Sequence, residues 1–231
     1  MANIAIIGTT SWGITLGVIL ARNGTQVNLW ARTEQEAAQL RKAKRTPAPL
    51  NGVKFPPKLS VTSSLSEALA EAQAVILVVP SQSIRQNTKL LVEHLNKSML
   101  IVSAAKGLEV GSNKRMSQVI ADEIPPSFWP NICVLSGPNL AEEILNELPA
   151  ATVVAATDEA IAKKAQKLLT TPKFCVFTNT DVVGIELGGA LKNIIALGAG
   201  IADGLNYGDN AKAALITRGL TEMTALGVAL G

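Results

Sequence analysis

The chain has 231 residues and a formal net charge of +3; 48% of its residues are hydrophobic and 17% charged. That balance supports one sizeable α/β domain, or one domain and part of a second, and excludes a long disordered chain. The slight basic excess leans toward anionic small molecules but argues against nucleic acid: the cluster Arg41, Lys42, Lys44 and Arg45 has no interleaved aromatics and reads as a solvated helix end.

The first residues enter an apolar strand pattern at once, without the basic start of a signal peptide. A strand at 3–7 leads into Gly8-Thr9-Thr10-Ser11-Trp12-Gly13 and then a helix over 14–22. Further apolar runs follow at 26–30, 59–62, 74–79, 99–103, 132–135, 151–155 and 174–177. Amphipathic stretches at 33–43, 65–72, 81–94, 114–123 and 158–169 separate most of them, and the Pro-containing segments 46–57 and 125–130 read as loops. Alternating helices and fully apolar strands predict a doubly wound, mostly parallel sheet covered on both faces. From Asp181 onward strand signals cease, and Ala, Leu and Gly at helical spacing predict at least two helices. A domain boundary is therefore placed near Asn179: 1–179 a Rossmann-like dinucleotide-binding domain, 180–231 the start of an all-α domain. Cys133 and Cys175 fall in strand-like runs and are expected as buried free thiols, with no metal-ligand spacing. Sparse cysteine and no uninterrupted apolar run approaching about 18 residues lead us to expect a soluble, cytoplasmic protein with no membrane span.

The strand–turn–helix at 3–22 is the setting of a dinucleotide-phosphate site. Gly8 permits the tight turn, Gly13 lets the helix pack close, and the helix N-terminus can hold a pyrophosphate. The same glycines also serve plain packing turns, so the pattern alone leaves both readings open. Thr10 stands where a second glycine is expected, and its branched side chain should weaken or shift the contact with phosphate. After the second strand, Arg32 occupies the place of the usual acidic residue; a guanidinium there suits a 2′-phosphate and favours NADP over NAD. Three later segments, Val79-Pro80-Ser81, Ser103-Ala104-Ala105-Lys106-Gly107 and Ser136-Gly137-Pro138-Asn139, follow strand ends and should converge on one crevice. Lys106 and a helix beginning near Asn139 would favour an anion there, although a solvated loop lysine reads equally well.

Taken together, several segments resemble NAD(P)-dependent glycerol-3-phosphate dehydrogenases: Ser11-Trp12-Gly13, Leu29-Trp30-Ala31-Arg32, Val79-Pro80-Ser81-Gln82, the run from Ser103 to Glu109, and Leu135-Ser136-Gly137-Pro138. The resemblance continues in Glu186-Leu187-Gly188-Gly189-Ala190-Leu191-Lys192-Asn193 and in the run from Gly208 to Gly219, the two most specific motifs. It implies reversible reduction of dihydroxyacetone phosphate to sn-glycerol 3-phosphate, in glycerophospholipid precursor supply. By the same resemblance Lys192 is the catalytic lysine. Lys106, Gly137, Asn139 and Lys192 contact substrate, although serine or threonine is more usual at position 139. Gly8, Ser11, Trp12, Gly13, Arg32, Lys106 and Ala141 serve the cofactor, NADP or NAD. It is also compatible with a homodimer. Relatives continue past the position of Gly231 with further helices carrying an acidic residue and an Arg-Asn pair for the substrate phosphate, so the chain is expected to be a fragment or a truncated product. Two other readings stand beside the enzyme: a nucleotide-binding fragment that has lost catalysis, and a related β-hydroxyacid-type dehydrogenase, against which the 208–219 motif speaks.

Overall fold

A computed structural model describes residues 2–231. Eight strands form one sheet in the order β3-β2-β1-β4-β5-β6-β7-β8: β1 (Asn3–Ile7), β2 (Gln26–Trp30), β3 (Leu59–Thr62), β4 (Ala74–Leu77), β5 (Leu100–Ser103), β6 (Ile132–Ser136), β7 (Ala150–Ala155) and β8 (Phe174–Asn179). The first six pair in parallel; β7 runs antiparallel to β6 and parallel to β8. The chain leaves β1 in one direction for β2 and β3 and returns to its other side for β4, so the strand order reverses between β1 and β4. In open α/β sheets such a reversal opens a crevice at the carboxyl ends of the strands.

The period-2 alternation of the strands decides which helices cover which face. Ile4 and Ile6, with Val27, Leu29, Ala74 and Ile76, point into one core, which α1 (Ser11–Arg22), α2 (Glu34–Ala43), α6 (Ala141–Leu145) and α7 (Glu159–Leu169) close. Ala5, Ile7, Val75 and Leu77 point the other way, under α3 (Leu65–Leu69), α4 (Ile84–Leu91) and α5 (Met116–Glu123). Both faces of the central strands are therefore dry, which is why β1, β4 and β5 read as unbroken apolar runs. The segment expected as a loop at 125–130 is mostly a 3₁₀ turn, Pro126–Asn131.

Cys133 is buried, and burial pushes its thiol up to about 12, so it is inert as a nucleophile. Cys175 does not follow the same expectation: it is exposed. Strand β8 is the edge of the sheet, and only alternate residues, Phe174 and Val176, turn into the core.

Two helices of 23 residues each follow, α8 (Val182–Gly204) and α9 (Gly208–Leu230). They pack against each other where small residues let them approach. A Cβ at Gly219 would lie 2.8 Å from Ile195, and one at Gly198 would lie 3.4 Å from Leu215. Both helices are long and apolar enough, by length and composition, to cross a membrane, although charged residues interrupt the apolar run in each. The core helix of a soluble protein passes the same test. Many of their large apolar side chains, among them Ile194, Leu197, Leu220 and Val228, are exposed.

Candidate active site

The turn after β1 shows why its glycines are there. Gly8 has φ +114°, a conformation L side chains rarely adopt, and a Cβ on it would meet the Val78 carbonyl oxygen at 2.9 Å. A Cβ on Gly13 would lie 2.3 Å from the Gly8 carbonyl oxygen. The first turn of α1 is thus pressed onto the end of β1. Helix geometry leaves the N–H groups of Ser11 and Trp12 without intrahelical acceptors, and the dipole of a 12-residue helix sits behind them. These features suit a pyrophosphate.

Thr10 does not play the part expected of it. Its hydroxyl donates to the Val78 carbonyl at 2.8 Å and accepts from the Gly13 N–H at 3.1 Å. Thr10 is therefore the N-cap of α1, and the side chain expected to obstruct phosphate is turned inward to fasten α1 onto β4. Beside it, the Thr9 hydroxyl donates to the Glu36 carboxylate, so an acid does stand at this turn, supplied by α2 rather than by the end of β2. Arg32 is exposed just past β2. Trp12 is half-buried and packs edge-on to Phe174, ring centres 6.0 Å apart.

Across the crevice, the segments after β4, β5 and β6 do converge. A Cβ on Gly107 would meet Ser81 Oγ at 2.9 Å, so the two loops touch. Gln82 pins them together, donating to the Leu108 carbonyl at 2.8 Å and accepting from the Val110 N–H at 2.9 Å. Arg85 on α4 braces the same loop through Glu109, at 2.8 Å, and its guanidinium holds the Glu109 carboxyl down at about 2. Lys106, carried on this braced loop, donates to the Gly137 carbonyl at 3.1 Å. Lys192, from the middle of α8, donates to the same carbonyl at 2.9 Å.

Two ammonium groups on one carbonyl oxygen is a poor match of charges. Each lysine has three donors and the carbonyl only two lone pairs, so donors remain for an oxygen-rich ligand. The cost shows on Lys106, which is lowered to about 8, first by burial and then by Lys192. Closeness of approach is again set by glycine: a Cβ on Gly189 would lie 2.4 Å from Ser136 Oγ, and one on Gly137 would lie 2.8 Å from Thr152 Oγ1.

Two expected features are less prominent. Asn139 turns its amide to Thr152, donating to Oγ1 at 3.1 Å, and its Oδ1 is buried without a partner. The helix expected to begin near Asn139 starts at Ala141 and spans five residues, too few for a substantial dipole at the substrate. Ala141, its first residue, packs against the core.

One cluster lies outside the sequence expectations. The Glu186 carboxylate, on α8, accepts from the Ser117 N–H at 2.7 Å and the Ser117 hydroxyl at 2.6 Å, and pairs with Arg115 at 2.5 Å. Glu186 stands among apolar residues in the first half of α8, with the helix's other acid, Asp203, at its far end; an acid so placed signals a buried partner but not which one.

A doubly wound sheet with a glycine turn at the end of β1, and a lysine pair facing the same edge, places the chain among Rossmann-like, dinucleotide-binding folds. Comparison with known proteins narrows this. Residues 3–162 match the N-terminal part, and residues 181–231 the C-terminal part, of the family described as NAD-dependent glycerol-3-phosphate dehydrogenase. The chain belongs to that family. It is 63% identical over its whole length to a glycerol-3-phosphate dehydrogenase [NAD(P)+] of Dehalococcoides mccartyi, of which it spans 65%. It is 44% identical over 229 residues, 99% of the chain, to the protein of that name from Chlorobium limicola, spanning 69% of it. A crystal structure of glycerol-3-phosphate dehydrogenase from Coxiella burnetii superposes on the whole chain and on 70% of its own length, with a TM-score of 0.89 and 35% identity.

Proposed function

We propose that this chain is the dinucleotide-binding and catalytic-lysine portion of an enzyme that reversibly reduces dihydroxyacetone phosphate to sn-glycerol 3-phosphate, feeding glycerophospholipid synthesis in the cytoplasm. The observation that carries the reading is the meeting of Lys106 and Lys192, from either side of the division near Asn179, on the Gly137 carbonyl at 3.1 and 2.9 Å. We divide the chain accordingly into 1–179, which binds cofactor, and 180–231, which presents Lys192.

The nicotinamide cofactor, when bound, supplies the hydride. The protein's own groups do the rest. Ser11, Trp12 and Gly13 offer the helix N-terminus to the pyrophosphate, with Gly8 leaving room for it. Arg32, exposed just past β2, would pair with an adenosine 2′-phosphate and favour NADP, while Glu36 beside Thr9 would offer an acceptor to a 2′-hydroxyl, so NAD would also be accommodated. Lys192 Nζ hydrogen-bonds the substrate carbonyl oxygen and gives it a proton as hydride arrives at carbon, so that the ketone becomes an alcohol. In oxidation the neutral amine takes that proton back. Lys106 holds the anionic end of the substrate, Gly137 and Asn139 border it, and Ala141 borders the nicotinamide side. The reading as a nucleotide-binding fragment without catalysis loses ground, because the two lysines and Gly137 are assembled and Thr10 supports the turn instead of blocking it.

The test is oxidation of NADPH, followed by absorbance, on addition of dihydroxyacetone phosphate to a protein of the family's full length carrying this sequence. Turnover dependent on that substrate is expected. Tight NADPH binding with no such turnover would overturn the assignment.

A further inference from the structure

The Glu186 cluster has no part in the reaction as described, yet it is buried and bridges distant parts of the chain. Glu186 is 9% exposed and Arg115, 71 residues away, is its ion-pair partner. Ser117 is the second residue of α5, and its N–H is among those a helix leaves without an intrahelical acceptor. That N–H is satisfied from outside the helix, by Glu186 on α8. The carboxylate also sits at the positive end of the α5 dipole and accepts from the Ser117 hydroxyl.

Along α8, Glu186, Gly189 and Lys192 recur every three residues, one broad stripe about 9 Å long at the α-helical rise. Each makes a different contact with the sheet domain: Glu186 with α5, Gly189 with Ser136, Lys192 with the Gly137 carbonyl. Gly189 makes only a close steric approach there, about which a helix can pivot. Lys192 is on a flexible stem. Glu186 makes three directed bonds, and Leu187 beside it is buried, so this end of α8 is held both by packing and by bonds of fixed direction.

We propose that Glu186 is a positioning residue for Lys192: its carboxylate, fastened to Ser117 and Arg115, holds α8 so that the lysine reaches the site formed by Gly137 and Lys106. The proposal rests on the reading of Lys192 as the proton donor.

The experiment compares Glu186→Leu and Glu186→Gln in the family-length protein, with three readouts: kcat for dihydroxyacetone phosphate, the NADPH dissociation constant, and the titration midpoint of Lys106, followed by NMR of isotopically dimethylated lysines and assigned with Lys106→Arg. A displacement on the order of 1 Å at a catalytic group costs about 100-fold in rate. Glu186→Leu should lower kcat by about 10- to 100-fold, leave NADPH affinity in place, and move the Lys106 midpoint up by the part of its lowering that Lys192 causes, burial keeping the rest. Glu186→Gln keeps the shape and an acceptor for the Ser117 N–H, and should recover most of both. If Glu186→Leu does not fold, the pair Arg115→Met with Glu186→Leu removes both buried charges together and serves the same comparison. A folded leucine variant with unchanged kcat and unchanged Lys106 midpoint overturns the proposal. So does a loss of kcat that merely tracks loss of thermal stability while the Lys106 midpoint stays put. If the unsubstituted protein shows no turnover, the assigned reaction fails, and the Lys106 midpoint still decides whether Glu186 positions α8.

Discussion

Replacing Thr10 with glycine would restore the glycine that the dinucleotide turn is expected to carry, and the structure predicts that it harms the protein. Three losses add. The hydroxyl bond to the Val78 carbonyl, at 2.8 Å, disappears, a contribution of about 0.5–1.5 kcal/mol. The side-chain cap on the Gly13 N–H disappears too, which for a change to glycine costs a few tenths of a kcal/mol. The new glycine adds chain entropy to the unfolded state, worth about 0.5–1 kcal/mol. The sum is about 1.5–3 kcal/mol. With a urea dependence of about 2–3 kcal/mol per molar, the unfolding midpoint should fall by about 0.5–1.5 M. Thr10→Ser keeps the hydroxyl and both bonds, and should stay near the unsubstituted midpoint. NADPH affinity, read by fluorescence titration, should weaken in the glycine variant, because the first turn of α1 is no longer fastened to β4. A glycine variant of equal or greater stability that binds NADPH more tightly would falsify this account, and would mean that the Thr10 side chain does crowd the phosphate.

Four further outcomes are expected. Gly13→Ala gains about 1 kcal/mol of helix propensity but drives a Cβ to 2.3 Å from the Gly8 carbonyl oxygen, a backbone atom, so thermal unfolding should show net destabilisation and NADPH binding should weaken by about ten-fold or more; higher stability would show that the turn yields freely. Lys192→Ala in the family-length protein should cut kcat by about 10² to 10³ while the NADPH dissociation constant holds, because in the proposed role the lysine would meet the oxygen most strongly as alkoxide forms; an unchanged kcat removes it from the mechanism. Lys106 is lowered to about 8, so its ammonium is lost as pH rises through 8, and KM for the phosphorylated substrate should climb there. The sign for stability is opposite: between pH 8 and the ordinary lysine range the unfolded chain binds more protons, so stability should rise with pH, and Lys106→Met should flatten both trends. Arg32→Ala should weaken NADPH more than NADH, measured as two dissociation constants; an equal effect on both would assign Arg32 to something other than the 2′-phosphate.

What the sequence determined by itself was local. Apolar runs such as Ile4–Ile7 and Val75–Leu77 announced buried parallel strands because both of their faces are covered, and that shows as an unbroken string of aliphatic residues. Gly8 and Gly13 were legible because a turn between a strand and a helix leaves no room for a Cβ. The motif around Lys192 was recognisable as a string. Other features were decided only when the chain closed. Thr10 turns inward because the acceptor it needs, the Val78 carbonyl, arrives from 68 residues away, just past the end of β4, which no local pattern records. Cys175 is exposed because its face of the sheet is left open at this end, where its register partner Ala151 on β7 is exposed as well, a matter of where the helices are laid and not of β8's own residues. Lys106 and Lys192 share one carbonyl, and Glu186 caps a helix 69 residues earlier in the chain, because the parallel sheet brings its carboxyl-end loops to one side and α8 is laid across them. A sequence states which groups exist and how often they recur. Which of two distant groups will meet depends on crossover handedness, strand order and the close approach that glycine permits, and those are properties of the packed whole.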